Sequence, residues 1–149
     1  RSNYRISTKI MIGKRCCTLA DYDGQYAQLT ENFKVAVRMF PTHDLFHSNS
    51  LVLGNLAAGI PDSIKKNVVN PVLHSILTSS QKNQYLETMG TYFDTNMNIG
   101  ETAHLLDIHR NTLQYRFKKI EELTGYCMYK LDDILTLRLA YLLYRLQDT

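Results

Sequence analysis

Residues 101–125, ETAHLLDIHRNTLQYRFKKIEELTG, crowd two histidines, two arginines, an asparagine, a glutamine and two lysines into one stretch. Two kinds of chemistry could use such groups. One is proton or metal chemistry on a bound molecule; the other is hydrogen bonding to the edges of DNA bases. His104 and His109 stand five apart across a helix break, so they do not share a face as a metal-binding pair would. No Cys or Ser lies in a nucleophile motif, and the glycines form no phosphate cradle. No catalytic residue, metal ligand or cofactor is therefore expected. The second chemistry fits better, because Arg pairs bidentately with guanine and Asn or Gln with adenine.

Spacing strengthens that reading. At roughly 100° per residue, Leu113, Phe117, Ile120 and Leu123 fall on one side of a helix from residue 110 to 123. Asn111, Tyr115, Lys118 and Glu122 point nearly opposite, flanked by Gln114 and Lys119. Arg110 sits at the helix start, and no acid occurs between Asp107 and Glu121. Arg110, Asn111 and Gln114 are the expected base readers. His109, Thr112, Tyr115, Lys118 and Lys119 are the expected backbone contacts, and His109 is also a candidate cap. The helix N-terminus itself attracts phosphate. A basic amphipathic helix is also a common solvated surface, so the elements around it matter.

Those elements read as a helix-turn-helix, in which a small residue lets two helices cross closely and an apolar residue pins the turn. Asn98 and Glu101 form the Asn-x-x-Glu spacing of a capping box ahead of a short helix, 99–106. Ala103 is the small residue and Ile108 the apolar one, in the break Asp107-Ile108-His109. Asp107 stands where Gly is frequent in such turns, and Asp tolerates left-handed backbone. The second helix stops at Thr124-Gly125. A further helix precedes the motif at 84–95, and a last one follows at about 132–146.

Upstream, residues 5–13 (RISTKIMIG) read as a strand, 19–40 as a helix ended by Pro41, and 45–53 as a short apolar stretch able to form another strand. Residues 54–77 are helical in parts, with Gly59-Ile60-Pro61-Asp62 a turn and Pro71 starting or kinking a helix. The polar run 78–83 marks a boundary. Two regions are expected, 1–80 and 81–149.

The 149 residues can bury a core, and no run of 18 apolar residues is present. Net charge is +4 over residues 1–80 and −1 over 81–149, so DNA binding in the second half needs a local patch rather than overall charge. Three cysteines, of which Cys16 and Cys17 are adjacent and Cys127 is distant, give no disulfide framework and favour a reducing, cytoplasmic compartment. Cys16 and Cys17 are expected to pack at the strand end. The chain starts without Met and without an apolar signal core, so it reads as a piece of a longer protein. His43 and His47 are four apart beside Pro41 and make a poor metal site.

Residues 85–133 closely resemble the C-terminal helix-turn-helix of the PucR/CdaR family of bacterial transcription regulators, which includes the sugar-diacid regulators. The resemblance rests on Asn98–Ala103, His109–Arg116 and Ile120–Gly125. Gly100, Gln114 and Phe117 depart from the family's usual Ser, basic residue and Leu. The first half is similar, less strongly, to the end of the GGDEF-like domain that precedes this motif, without a cyclase signature. The resemblance implies a mainly α fold, a helix-turn-helix bundle preceded by a partial α/β, GGDEF-like remnant. It also implies double-stranded DNA as partner, and an effector metabolite sensed by a domain further upstream.

The terminal helix carries Leu135, Leu137, Leu139, Ala140, Leu142, Leu143 and Leu146 on more than one face. It reads equally as buried core and as the contact of a homodimer that brings two reading heads to adjacent half-sites. The alternative to a DNA reader is a helical protein-interaction module without DNA specificity. An enzyme and a membrane protein both lack support.

Overall fold

The computed structural model describes residues 8–41 and 43–147. They form two compact units, one reaching to Pro61 and the other running from Asp62 to Gln147.

In the first unit, β1 (Ile10–Ile12) is followed by α1 (Ala20–Met39) and β2 (Leu45–His47). The strands pair in parallel, with Ile10 opposite Leu45 and Ile12 opposite His47, and α1 is the crossover that parallel pairing requires. Met11 and Phe46 face α1, where Ala36, Phe46 and Leu51 are buried and Phe33 meets the Phe46 ring edge-on at 6.3 Å. Lys9 secures the turn after α1, its ammonium donating to the carbonyls of Pro41 and His43 at 2.7 Å each. A 3₁₀ turn (Ser48–Leu51) leads into α2 (Val52–Ala58). Gly54 lies against Met39 and Val35 of α1, where a Cβ would collide, so this approach depends on glycine.

The second unit holds α3 (Asp62–Leu77), α4 (Lys82–Asp94), α5 (Ile99–Leu105), α6 (Arg110–Thr124) and α7 (Leu131–Arg145). Leu73, Ile76, Met89, Phe117, Ile120 and Leu137 are sealed in its core, each at 1% exposure or less. Every such side chain contributes on the order of 1.5–3 kcal/mol by leaving water. Lys65 and Tyr92 show how polar groups inside are partnered. Lys65 is only 4% exposed; its ammonium donates to Asp62 and, at 3.1 Å, to the Leu146 carbonyl beyond the end of α7. The Tyr92 hydroxyl donates to the Met128 carbonyl at 3.2 Å, and burial is the main cause that pushes its phenol above the ordinary tyrosine value.

Several expectations need correcting. The strand foreseen over 5–13 is confined to Ile10–Ile12, with Thr8, Lys9 and Gly13 outside it and residues 1–7 outside the described residues. The 45–53 stretch is a three-residue strand that turns helical at Ser48. Cys16 and Cys17 are exposed rather than packed, with the Cys16 thiol donating to Gln25 at 3.1 Å. The contact units divide after Pro61, with α3 packed on α7 and α6. Pro71 lies inside α3 and does not start it. Asn67 and Pro71 are both exposed, so the carbonyl that Pro71 leaves without a helical donor lies on the solvent side.

Candidate nucleic-acid interface

The site is built on a crossing of two helices. Asn98 opens α5 with an extended backbone, and its side-chain carbonyl accepts the Glu101 N–H at 3.1 Å. The expected reciprocal half of the capping box is replaced: the Asn98 N–H donates to the Thr95 carbonyl at 3.1 Å. Before it, Asn96 and Met97 take left-handed backbone with φ of 50° and 65°, which turns the chain tightly between α4 and α5. The buried hydroxyls of Thr95 and Thr102 lie 2.7 Å apart and bond further to the Thr91 and Asn98 carbonyls, tying the two helices together.

Ala103 is 6% exposed, and its carbonyl accepts the Ile108 N–H at 3.0 Å across the turn. Asp107 takes the left-handed conformation at φ 51°, the geometry anticipated for a position often held by Gly. His109 then caps α6. Its Nδ1 accepts the Asn111 N–H at 3.2 Å, and its carbonyl accepts from Thr112 and Leu113 at 2.9 and 3.2 Å. Those bonds refine the expectation of a phosphate-ready N-terminus, because the N–H groups of Asn111 and Thr112 are committed to His109. Gly125 ends α6 at φ 77°, its N–H returning to the Glu121 carbonyl at 2.8 Å.

Leu113, Phe117 and Ile120 bury one face of α6. On the other, Arg110, Asn111, Thr112, Gln114, Tyr115 and Lys118 are exposed, as is His109, while Lys119 is half-buried. The anticipated residues therefore share one accessible surface. The basic residues on this helix do different things, however. Arg116 turns inward, and its Nη1 donates to the buried Thr88 hydroxyl at 3.1 Å, fixing α6 to α4. Lys119 is drawn to Glu122 at 2.6 Å and lies 5.7 Å from the centre of the Tyr115 ring. Their hydrogen bond is the leading cause that raises the Lys119 ammonium and lowers the Glu122 carboxyl from their ordinary values. Beyond α6, Tyr129 meets the Phe117 ring edge-on at 5.8 Å. Burial raises its phenol, with Cys127 adding and Arg110 opposing. Tyr129 carried no sequence signal, since it lies in a loop with no helical period.

Among the described residues no three His, Cys, Asp or Glu side chains gather as a metal site, and no helix is long and apolar enough to cross a membrane. His43 stacks on Phe40 at 5.3 Å. His104 is exposed on α5.

Residues 85–143 match the PucR C-terminal helix-turn-helix domain. The match begins within α4 and ends within α7, so α3 packs against the matched region from outside it. A "Purine catabolism regulatory protein" of Bacillus subtilis is 38% identical over 88 residues, 58% of this chain and 17% of that protein. A "Carbohydrate diacid regulator" of Escherichia coli is 29% identical over 106 residues, 71% of this chain and 28% of that protein. An uncharacterized Haemophilus influenzae protein is 35% identical over 120 residues, 80% of this chain and 32% of its own length. The chain thus spans a third or less of these relatives. Those with a named role are regulators, not enzymes, in keeping with a PucR-type helix-turn-helix.

Proposed function

We propose that the second unit is a sequence-specific DNA-binding module, the output end of a metabolite-responsive bacterial transcription regulator working in the cytoplasm. The observation that carries the reading is the division of α6: one face sealed by Leu113, Phe117 and Ile120, the other free of large aliphatics and accessible from Arg110 to Lys118. Arg110, Asn111 and Gln114 read base edges in the major groove. Thr112, Tyr115, Lys118 and Lys119 hold phosphates, and His109 sets the helix start while reaching the backbone. Gln114, a neutral side chain, favours an adenine contact.

The named relatives support an effector related to purines or sugar diacids, bound by a domain upstream of these residues. The β1–α1–β2 crossover supports reading the first unit as the end of a GGDEF-like domain without cyclase activity. Exposed Leu131, Leu135 and Leu139 recur every fourth position on α7 and favour a homodimer, with its two reading heads on adjacent half-sites.

Selection of duplexes from a random pool tests the reading, followed by salt titration. Arg110→Ala relaxes base preference at one position, whereas Lys118→Ala weakens all duplexes alike and lowers the salt slope by about one. Unchanged binding in both variants would overturn the assignment of this face.

A further inference from the structure

The exposed surface of α6 carries two acids, Glu121 and Glu122, and the second is paired with a proposed phosphate contact. Glu122 follows Asn111, Tyr115 and Lys118 along the same face, at offsets of eleven, seven and four residues. A carboxylate there meets the phosphate charge of any duplex lying along the helix. It also engages Lys119, a proposed phosphate contact, at 2.6 Å, while the Tyr115 ring covers the same ammonium. Both partners stay open to solvent, Lys119 with 35% and Glu122 with 46% of the side chain accessible, so the pair can be opened by a competing anion.

We infer that Glu122 masks Lys119 in the free protein and weakens binding through that phosphate contact. The inference rests on the DNA-binding reading above. A phosphate that takes Lys119 must displace Glu122, and the freed carboxylate is then left close to the backbone. The gain from the new contact is offset by the broken pair and by repulsion. The same cost falls on every duplex whose phosphate takes Lys119, so Glu122 weakens the sequence-independent part of binding and leaves recognition to Arg110, Asn111 and Gln114.

A double-substitution cycle on the 149-residue chain separates masking from a mere change of net charge. The probes are a duplex selected from a random pool and a scrambled duplex of equal length. E122Q tightens the scrambled and the selected duplex alike, by about fivefold at low salt. The salt slope steepens by about one phosphate equivalent as Lys119 becomes a full counterion-releasing contact. K119M costs about twofold or less alone, and about five- to tenfold when placed on E122Q. E121Q, at the neighbouring acid, leaves the cost of K119M where it was.

Equal cost of K119M with and without Glu122, at an unchanged salt slope, overturns the masking role while leaving DNA binding intact. Failure of the unaltered chain to bind any selected duplex instead removes the functional reading, and this inference with it.

Discussion

The two units reach secondary structure by different means. In the second, five helices close around a continuous apolar interior, and the buried polar groups of Lys65, Thr95 and Thr102 find partners. In the first, the buried side chains among the described residues are Asn32, Ala36, Phe46, Leu51 and Ala57, and the two-stranded sheet covers one face only. Ile10, Ile12 and Leu45 lie exposed on the other face, as do Leu19, Val52 and Leu56 elsewhere in that unit. Parallel strands ordinarily bury both faces, and two of them alone are marginal in water. A 20-residue helix such as α1 can therefore be well formed without the unit around it being stable. Helix content and stability are separate quantities here.

The contrast can be broken most directly by separating the units. Residues 62–149 alone are expected to melt in a single cooperative transition, and residues 1–61 alone to show none. Calorimetry with circular dichroism decides this, and a cooperative transition in 1–61 would end the comparison. Next in size, Phe117→Ala removes a ring buried between α6 and its neighbours and costs about 3–5 kcal/mol. Leu45→Ala on the bare sheet face changes stability by about 0.5 kcal/mol or less. Urea titrations of the two variants measure the difference.

The smallest effect is a pH dependence in the second unit. Burial, first among its causes, raises the phenols of Tyr92, Tyr129 and Tyr141 above their ordinary value near 10. A raised folded value means that the unfolded chain loses these protons first. Stability is then full below about pH 10 and declines as pH rises through the folded values. Tyr141→Phe blunts that decline, seen as a shallower loss of melting temperature between about pH 10 and 11.5.

Much of the second unit was legible because its chain is punctuated. Asn98, the Asp107 turn and Gly125 each force or stop a helix by local backbone chemistry, so the limits of α5 and α6 follow from single residues. The exposed face of α6 was legible for the same reason, since periodicity fixes direction once the ends are known. What escaped was tertiary. Arg116 belongs by composition to the basic patch, yet a hydroxyl on α4, 28 positions earlier, draws it inward. The pairing of Lys119 with Glu122 is a local spacing, but whether a lysine stays free or pairs depends on competing partners. The unbroken run of α3 from Asp62 to Leu77 was hidden by Pro71 and by the Gly-Ile-Pro turn before it, signals of interruption that packing against α7 outweighs.

The bond from Lys65 to Leu146 has an architectural result. It places the first turn of α3 and the tail of α7 side by side, 3.1 Å apart at the bond itself. The polypeptide thus comes into the second unit and departs from it through a single doorway. A module hung in this way can be grafted between unrelated neighbours or swivelled as one piece without prying its helices apart. It should also tolerate new termini cut at 78–81 once its old ones are joined by a short linker.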